Sequence, residues 1–380
     1  MQINPFYTTN EIPDAYFCDR VSETEEIVRM LTNGNNLVLK GPRRLGKSGL
    51  IHHVFNDKRI KPHYNTFYFD ILETGCLQEF VFLFGRAIYK QLVPLSKKWA
   101  DRFSSMMRSL TAKFGPDPMT GEYNVQVGLQ SYPQPELTLE AIFDFLEKSE
   151  CPNLIAIDEF QQIGAYPEKR VEAMLRAHVQ RLHNTKFIFS GSERHLLDMM
   201  FNSSEKPFYL SSRSMDVGPI PETSYAEFAS RMFRQAGKKL EEGGAETIYR
   251  MFDGFTFYLQ EVMNEAFSQT EKGETCTQEQ LEAVVHHLVD SNTERCKDVL
   301  GQLTWIQRRL LIAVALDGIV PDLFAEDFVF RNGLRTASSV QSAARSLRQK
   351  NLLTRSAAGY YLPDRYLSLW IRRNYATIEI

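Results

Sequence analysis

Short apolar runs alternate with amphipathic segments through the first 220 residues of the chain. Five of these runs predict strands, at residues 36–40, 65–72, 153–159, 186–191 and 214–220. Helical periodicity marks the segments before and between them, at residues 23–34, 46–57, 78–93, 138–149 and 168–184. Strands that are apolar on both faces and alternate with helices indicate a parallel sheet covered on both sides. This half of the chain is therefore predicted to be an α/β layer structure.

Two later stretches depart from this alternation. Residues 112–134 are rich in Gly and Pro and predict a small surface hairpin with a Thr-Gly turn. After residue 220 the strand signals vanish while helical periodicity continues, and Thr277 with Gln280 predicts a capping box. We expect this second region to be all helical.

The last 80 residues combine helices with a hairpin. Three predicted helices, the first opening at Thr304, are followed by a strand, a turn at Ala358-Gly359, another strand and a closing helix. That order is typical of a winged helix-turn-helix. The chain is too long for one compact core and its length suggests two or three domains. The changes of pattern along it predict three. They are a core at residues 1–220, a helical lid at 221–298 and a winged helix domain at 299–380.

Composition and charge bear on the partners and the compartment that are expected for this protein. A net charge of −3 over 380 residues gives no overall attraction to nucleic acid or to an anionic membrane, so such binding would need a local patch. Five scattered cysteines without a CxxC pair favour reduced thiols. No signal peptide is visible, and the longest aliphatic run, at 310–316, is far shorter than a membrane span. We expect a soluble, cytoplasmic protein without a membrane partner.

The bend after the first predicted strand is cationic and rich in glycine. Its sequence, GPRRLGKS, fits the pattern G-x-x-x-x-G-K-[ST] of a phosphate-binding P-loop. Backbone N–H groups can turn inward around a phosphate there, and the next helix points its positive end at the same anion. Lys47 is expected to reach the β- and γ-phosphates, and the Ser48 hydroxyl to bind Mg²⁺. The predicted nucleotide contacts are Gly41, Pro42, Arg43, Arg44, Leu45, Gly46, Lys47, Ser48 and Gly49.

The predicted strand at 153–159 ends in two acids. Asp158 is expected to hold Mg²⁺ or its water, and Glu159 to polarise the water that attacks the nucleotide. Two solvated carboxylates at a strand end are the alternative, but a P-loop in the same sheet favours the metal site. The acidic pair argues against a small-molecule kinase, and no guanine-reading N-K-x-D element is present, so ATP is favoured over GTP.

Two further residues are candidates for the reaction. Ser192 follows the strand at 186–191 and could sense the γ-phosphate or orient water; a Ser-Gly turn with a helix N-cap is the alternative. Arg213 precedes the last strand and could reach a γ-phosphate in its own or a neighbouring subunit; a solvated loop arginine is the alternative.

Several segments together resemble the archaeal-type ATPases of the STAND branch of AAA+ proteins. They are FCDRVSETEEIVRML, GPRRLGKS, IDEFQQI, FIFSGSERHLL, PFYLSSRSM, DGFTFYLQEV and GYYLPDRYLSLWIRR, which span nearly the whole chain. The resemblance implies ATP binding, slow hydrolysis and switching between states. It also implies that the segment from Phe17 to Arg20, which includes Asp19, lies beside the adenine, and that Gly254 belongs to a lid element near the nucleotide. Thr256 stands where the family's Gly-x-Pro element has Pro.

The predicted winged helix carries a local positive charge. Between residues 331 and 373 there are nine Lys or Arg against one acid, Asp364. Arg345, Arg348 and Lys350 on the third helix, with Arg355 on the wing, suit a helix in the major groove flanked by phosphate contacts. A winged helix that contacts a protein partner is the alternative.

Two functions remain in view from the sequence. The first is an ATP-driven AAA+/STAND-type switch whose winged helix presents to DNA or to a protein partner. The second is a scaffold or regulatory protein that binds ATP with little turnover and acts through protein contacts, including contacts between copies of itself.

Overall fold

The computed structural model describes residues 3–9, 11–110, 135–356 and 358–376. The chain divides into two compact units, Thr9–Gly218 and Pro219–Ile380 together with Met1–Thr8. The hairpin predicted at 112–134 lies outside the described residues. In the part of the chain that is described, no helix is long and apolar enough to cross a membrane.

A parallel five-stranded sheet forms the centre of the first unit, as predicted. Its strands are β1 (Leu37–Lys40), β2 (Asn65–Asp70), β3 (Asn153–Asp158), β4 (Thr185–Gly191) and β5 (Arg213–Asp216). They lie in the order β2-β3-β4-β1-β5. Because parallel strands run in one direction, the residues that follow β1, β3 and β4 meet at one edge of the sheet.

Helices cover both faces of this sheet. They are α1 (Val21–Thr32), α2 (Lys47–Asn56), α3 (Leu77–Leu95), α4 (Lys97–Leu110), α5 (Pro135–Glu147), α6 (Val171–Arg181) and α7 (Arg194–Asn202). Short 3-10 helices occur at Asp14–Tyr16 and Phe160–Ala165. The sequence interpretation missed α4, although Ala100, Phe103 and Met107, which are all buried, recur at helical spacing.

Strand β3 shows why its sequence is apolar at every position. Ile155 and Ile157 belong to a hydrophobic cluster with residues of α3, α5 and α6. Leu154 and Ala156 belong to a separate cluster with residues of α1 and α2. Successive side chains of a strand point to opposite faces, so both faces of β3 are buried. The predicted double-sided cover is confirmed.

The second unit holds nine helices among the described residues. They are α8 (Glu222–Gln235), α9 (Gly244–Met251), α10 (Thr256–Gln269), α11 (Gln278–Ser291), α12 (Thr293–Gly301), α13 (Trp305–Asp317), α14 (Glu326–Arg331), α15 (Ala337–Gln349) and α16 (Arg365–Tyr375). The strands are β6 (Lys239–Leu240), β7 (Thr275–Cys276), β8 (Thr354–Ser356) and β9 (Gly359–Tyr361). Helices α13 to α15, the β8–β9 hairpin and α16 give the predicted winged helix order.

The expected all-helical region differs from the structure in one detail. Strands β6 and β7 pair in parallel, and each has only two residues, too few to give an alternating pattern in the sequence. The capping box from Thr277 to Gln280 is confirmed at the start of α11.

The amino-terminal residues also pack in the second unit. Phe6 is fully buried against the rings of Phe228, Phe233 and Phe267. Asn264 donates its side-chain amide to the Phe6 carbonyl, which fixes this segment on α10. The chain therefore starts in the second unit, builds the sheet and returns to the second unit after residue 218.

Candidate active site

The P-loop joins β1 to α2 at the carboxyl edge of the sheet. Gly41 follows β1 directly, and Gly46 is the N-cap of α2 with a φ of 86°, a left-handed conformation that favours glycine. Helix α2 begins at Lys47, so its free N–H groups face the bend. Pro42 and Arg43 are half-buried and Arg44 is exposed, whereas Leu45 and Gly49 are buried. The strand, loop and helix order expected around GPRRLGKS is present.

Lys47 is held inside this loop. Its Nζ donates hydrogen bonds to the carbonyl oxygens of Gly41, at 2.7 Å, and Pro42, at 3.0 Å. Burial lowers the pKa of Lys47, while the carboxylates of Glu159 and Asp158 oppose that shift. A buried ammonium that donates to neutral carbonyls is well placed to exchange them for phosphate oxygens, which are charged acceptors.

Ser48 and Asp158 lie together where β3 ends. The Ser48 hydroxyl donates to Oδ2 of Asp158 at 2.6 Å, and the carboxylate is 3% exposed. A second donor reaches the same Oδ2, the hydroxyl of Tyr68 at 2.7 Å. Hydroxyl and carboxylate oxygens are the ligands that Mg²⁺ prefers, so Ser48 and Asp158 fit the predicted metal. Sequence reasoning did not include Tyr68, although a tyrosine within an apolar strand needs a partner for its hydroxyl.

Glu159 lies beside Ser192, which follows β4. Oε2 of Glu159 accepts hydrogen bonds from the Ser192 hydroxyl, at 2.7 Å, from the Ser192 N–H, at 3.2 Å, and from the Gln161 amide. Arg43 donates from Nε to the Ser192 hydroxyl and lies 3.8 Å from Oε1 of Glu159. Glu159 has a φ of 54°, which is uncommon for a residue with a side chain. Two residues predicted separately, Glu159 and Ser192, are thus in direct contact.

A third carboxylate lies at the same edge. Asp70 ends β2 and pairs in register with Asp158, a position that the sequence interpretation did not use. Burial raises the pKa of Asp70, and the charges of Asp158 and Glu159 act in the same direction. Three acids gathered at one edge create a negative field that favours a bound cation.

Arg20 donates hydrogen bonds to the backbone of the P-loop and of the segment that follows β5. Its guanidinium donates to the carbonyl oxygens of Leu45, at 3.1 Å, and Gly218, at 2.7 Å, and pairs with Glu23 at 2.6 Å. Asp19 and Arg20 both have positive φ, at 54° and 65°, and Asp19 is exposed. The structure therefore gives Arg20 a contact with the loop; a place beside the adenine for this segment stays a prediction.

Arg213 is not brought to this site. It is the first residue of β5 and lies opposite Leu37, the first residue of β1, whereas the P-loop follows the last residue of β1. At about 3.3 Å per residue, Arg213 lies about 10 Å along the sheet from the loop. The predicted contact with the γ-phosphate of its own chain is not supported, because strand β5 begins at the opposite edge.

Gly254 lies in the second unit, so its predicted approach to the nucleotide stays a prediction. Its φ is 69°, and an added Cβ would lie 2.6 Å from the Tyr249 hydroxyl oxygen and 2.9 Å from Cβ of Pro219. Both the backbone conformation and the available space require glycine here.

Most basic residues of the winged helix are exposed to solvent, but Arg365 is buried and Arg372 is half-buried. Arg345, Arg348 and Lys350 are exposed at the carboxyl-terminal half and end of α15, and Arg355 is exposed on β8. The opposite face of α15 is buried through Val340, Ala343, Ala344 and Leu347.

The parallel sheet, the P-loop and the acidic strand end define the class of P-loop ATPases. Within that class, the chain belongs to the family described as "ATPase domain predominantly from Archaea", whose model matches residues 17–262. A second model, described as "Probable winged helix domain", matches residues 295–373. The resemblance to archaeal-type ATPases is confirmed. No curated protein sequence matches the chain.

Solved structures share the fold. The Walker-type ATPase PABY2304 of Pyrococcus abyssi is 18% identical with a TM-score of 0.66, over 97% of this chain and 99% of that chain. The Aeropyrum pernix ORC2 protein (ADPNP-ADP complexes) is 13% identical with a TM-score of 0.56, over 98% of both chains. The Aeropyrum pernix ORC1 protein in complex with DNA is 12% identical with a TM-score of 0.52, over 97% and 94%. At these identities the likeness concerns the fold alone.

Proposed function

We propose that the protein is an ATP-driven switch of the STAND type, which hydrolyses ATP slowly and thereby repositions its winged helix toward DNA. One observation carries the ATPase half of the proposal. Lys47, Ser48, Asp158, Glu159 and Ser192 come from three separate stretches of sequence, and they converge at one edge of the sheet.

Each of these side chains has a distinct role in the proposal. Lys47 exchanges its loop carbonyls for the β- and γ-phosphates. Ser48 and Asp158 hold Mg²⁺, which neutralises charge on the phosphates when bound. Glu159 accepts a proton from the attacking water. Ser192 senses whether a γ-phosphate is present. Ser192 and Gln161 already donate to Oε2 of the Glu159 carboxylate, so in this proposal the attacking water is received at the other oxygen, Oε1.

The DNA half of the proposal rests on charge. The exposed face of α15 carries Arg345 and Arg348 without an acidic residue, and Lys350 and Arg355 follow nearby. Such a face suits a helix that lies against phosphates. The ORC1 protein of similar fold is seen with DNA, which supports the same partner class here. In this proposal the core, lid and winged helix are the predicted segments 1–220, 221–298 and 299–380, except that residues 1–8 pack in the second unit and not in the core.

A second candidate is a nucleotide-dependent scaffold that binds ATP with little turnover and contacts a protein, including another copy of itself. The observation in its favour is that Ser192 and Gln161 both donate to Oε2 of Glu159, so one of the two oxygens of the proposed general base is already hydrogen-bonded.

Steady-state ATPase assays with and without duplex DNA, paired with DNA retention on filters, separate the two candidates. The switch predicts measurable, Mg²⁺-dependent turnover and retention of DNA that changes between ATP and ADP. Tight ATP binding without turnover and without DNA retention would support the scaffold and overturn the switch.

A further inference from the structure

Tyr68 contacts the carboxylate of the proposed metal site from a neighbouring strand. It lies on β2 opposite Ala156, two residues before Asp158 on β3. Its hydroxyl donates to Oδ2 of Asp158 at 2.7 Å, and that oxygen also accepts from Ser48. The backbone N–H of Glu159 donates to the other oxygen, Oδ1, at 3.0 Å. Three donors from three elements therefore fix the plane of one carboxylate.

The Tyr68 ring is itself fixed by the helix that carries Ser48. The ring of His52, on α2, lies with its centroid 4.5 Å from the Tyr68 centroid. Because the ionised Asp158 carboxylate has no hydrogen to give, the Tyr68 hydroxyl is the donor of this hydrogen bond.

We propose that Tyr68 is a positioning residue for the Mg²⁺ site, which holds the Asp158 carboxylate in place and sets how tightly the metal binds with ATP. The inference rests on the proposed ATPase function. When Ser48 turns an oxygen lone pair toward the metal, its hydrogen still needs the Oδ2 acceptor of Asp158. A carboxylate kept from rotating by Tyr68 offers that acceptor, and its remaining lone pairs, without reorganisation. Partners that orient metal ligands in this way typically change metal affinity or activity by about 10- to 100-fold.

Tyr68→Phe removes the hydroxyl and keeps the ring. We expect the Mg²⁺ concentration that gives half-maximal ATPase activity to rise about 10-fold. The Mg²⁺-dependent gain in ATP affinity, measured by calorimetry with Mg²⁺ and with EDTA, should shrink, while the affinity in EDTA stays unchanged. Electron paramagnetic resonance of Mn²⁺ added with ATP should show weaker metal binding in the variant, independently of turnover.

Tyr166→Phe is the matched control. The Tyr166 hydroxyl lies 2.5 Å from the Thr74 hydroxyl in the same unit, so this variant also loses a buried tyrosine contact, but away from Asp158. It should leave the Mg²⁺ dependence as in the wild type.

Two results would overturn the proposal. A Tyr68→Phe protein that is less stable but has an unchanged Mg²⁺ requirement would give Tyr68 a structural role only. Equal losses of ATP affinity in Mg²⁺ and in EDTA would place its effect on the P-loop.

His52→Leu is the alternative test if Tyr68→Phe does not fold, because it keeps the phenol but removes the ring that packs against it. A smaller rise in the Mg²⁺ requirement supports the proposal, and no rise overturns it. A wild-type protein that binds ATP without any Mg²⁺ effect would instead refute the proposed ATPase function.

Discussion

The carboxyl edge of the central sheet and the exposed face of α15 both gather charge, but in opposite ways. At the sheet edge Lys47, Asp158 and Glu159 are 5%, 3% and 7% exposed, and each is hydrogen-bonded by groups of the loop and strands around it. On α15, Arg345 and Arg348 are exposed, and within the described residues neither forms an ion pair. The sheet edge holds its charges rigidly before a ligand binds, whereas the exposed face of α15 leaves its charges solvated.

This difference determines what each region can do. Buried, oriented charges act in a low dielectric, where they stabilise a developing charge at a defined point. Exposed arginines are screened by salt and gain affinity for a polyanion by releasing its counterions, without a fixed geometry. Substitutions at the sheet edge should therefore have large, specific effects, and substitutions on α15 should have smaller effects that depend on salt.

The largest effect is expected at Lys47. Lys47→Ala removes the cation that follows the γ-phosphate and should abolish ATP binding measured by calorimetry. Lys40→Met is a matched control, because Lys40 is also buried at the end of β1 but pairs with Asp198 at 2.6 Å. The control should bind ATP. A Lys47→Ala protein with wild-type affinity would contradict the P-loop assignment.

The next largest effects are expected at the two acids at the end of β3, and substitutions of the two should have different consequences. Glu159→Gln keeps the shape and can still hydrogen-bond Ser192, but it cannot accept a proton, so hydrolysis should fall about 10²-fold or more while ATP stays bound. Asp158→Asn should instead weaken the Mg²⁺-dependent part of ATP binding. Single-turnover hydrolysis and equilibrium binding measure the two effects. Full activity in the Gln variant would mean that another residue positions the water.

The carboxyl edge of the sheet is also more predictable from sequence than the contacts around it. The P-loop and the Asp158-Glu159 pair are contiguous motifs flanked by strands with strong apolar patterns, so their meeting at one edge follows from a parallel sheet. The same rule places Glu159 and Ser192 at this edge, because each comes directly after a strand, but their direct contact also requires β3 beside β4, which the motifs do not specify.

What could not be predicted depends on register and on strand order. The contact of Tyr68 with Asp158 requires β2 beside β3 in one particular register, which apolar strands do not specify. The place of Arg213 between a helix and the last strand predicts an approach to a γ-phosphate, but Arg213 begins β5, and no pattern marks the start of a short strand. The contact of Arg20 with Gly218 joins residues 198 positions apart.

A smaller effect is expected on α15. Replacing Arg345 and Arg348 together by Ala should weaken DNA binding and reduce the slope of log affinity against log salt by about 1.8, since each phosphate contact contributes about 0.9. Replacing Lys169 and Arg170, an exposed basic pair in the first unit, is the matched control for charge alone and should leave the slope nearly unchanged. Fluorescence anisotropy with duplex DNA at several salt concentrations gives both slopes. Equal slopes for the wild type and the α15 variant would exclude this face from DNA contact.

The smallest effect is expected at Arg213, which lies at the opposite edge of the sheet from the P-loop. An exposed charge about 10 Å or more away is largely screened at physiological salt. Arg213→Ala should therefore leave ATP affinity, and turnover in dilute protein, within about twofold of the wild type.

A role for Arg213 in a neighbouring subunit predicts a further result: turnover per chain should rise with protein concentration in the wild type but not in the variant. Mixing Arg213→Ala with Lys47→Ala tests this directly, because the second variant keeps Arg213 but cannot bind ATP. Restored turnover in the mixture would place Arg213 at the site of a partner, whereas a large loss in dilute Arg213→Ala would show that it acts within its own chain after all.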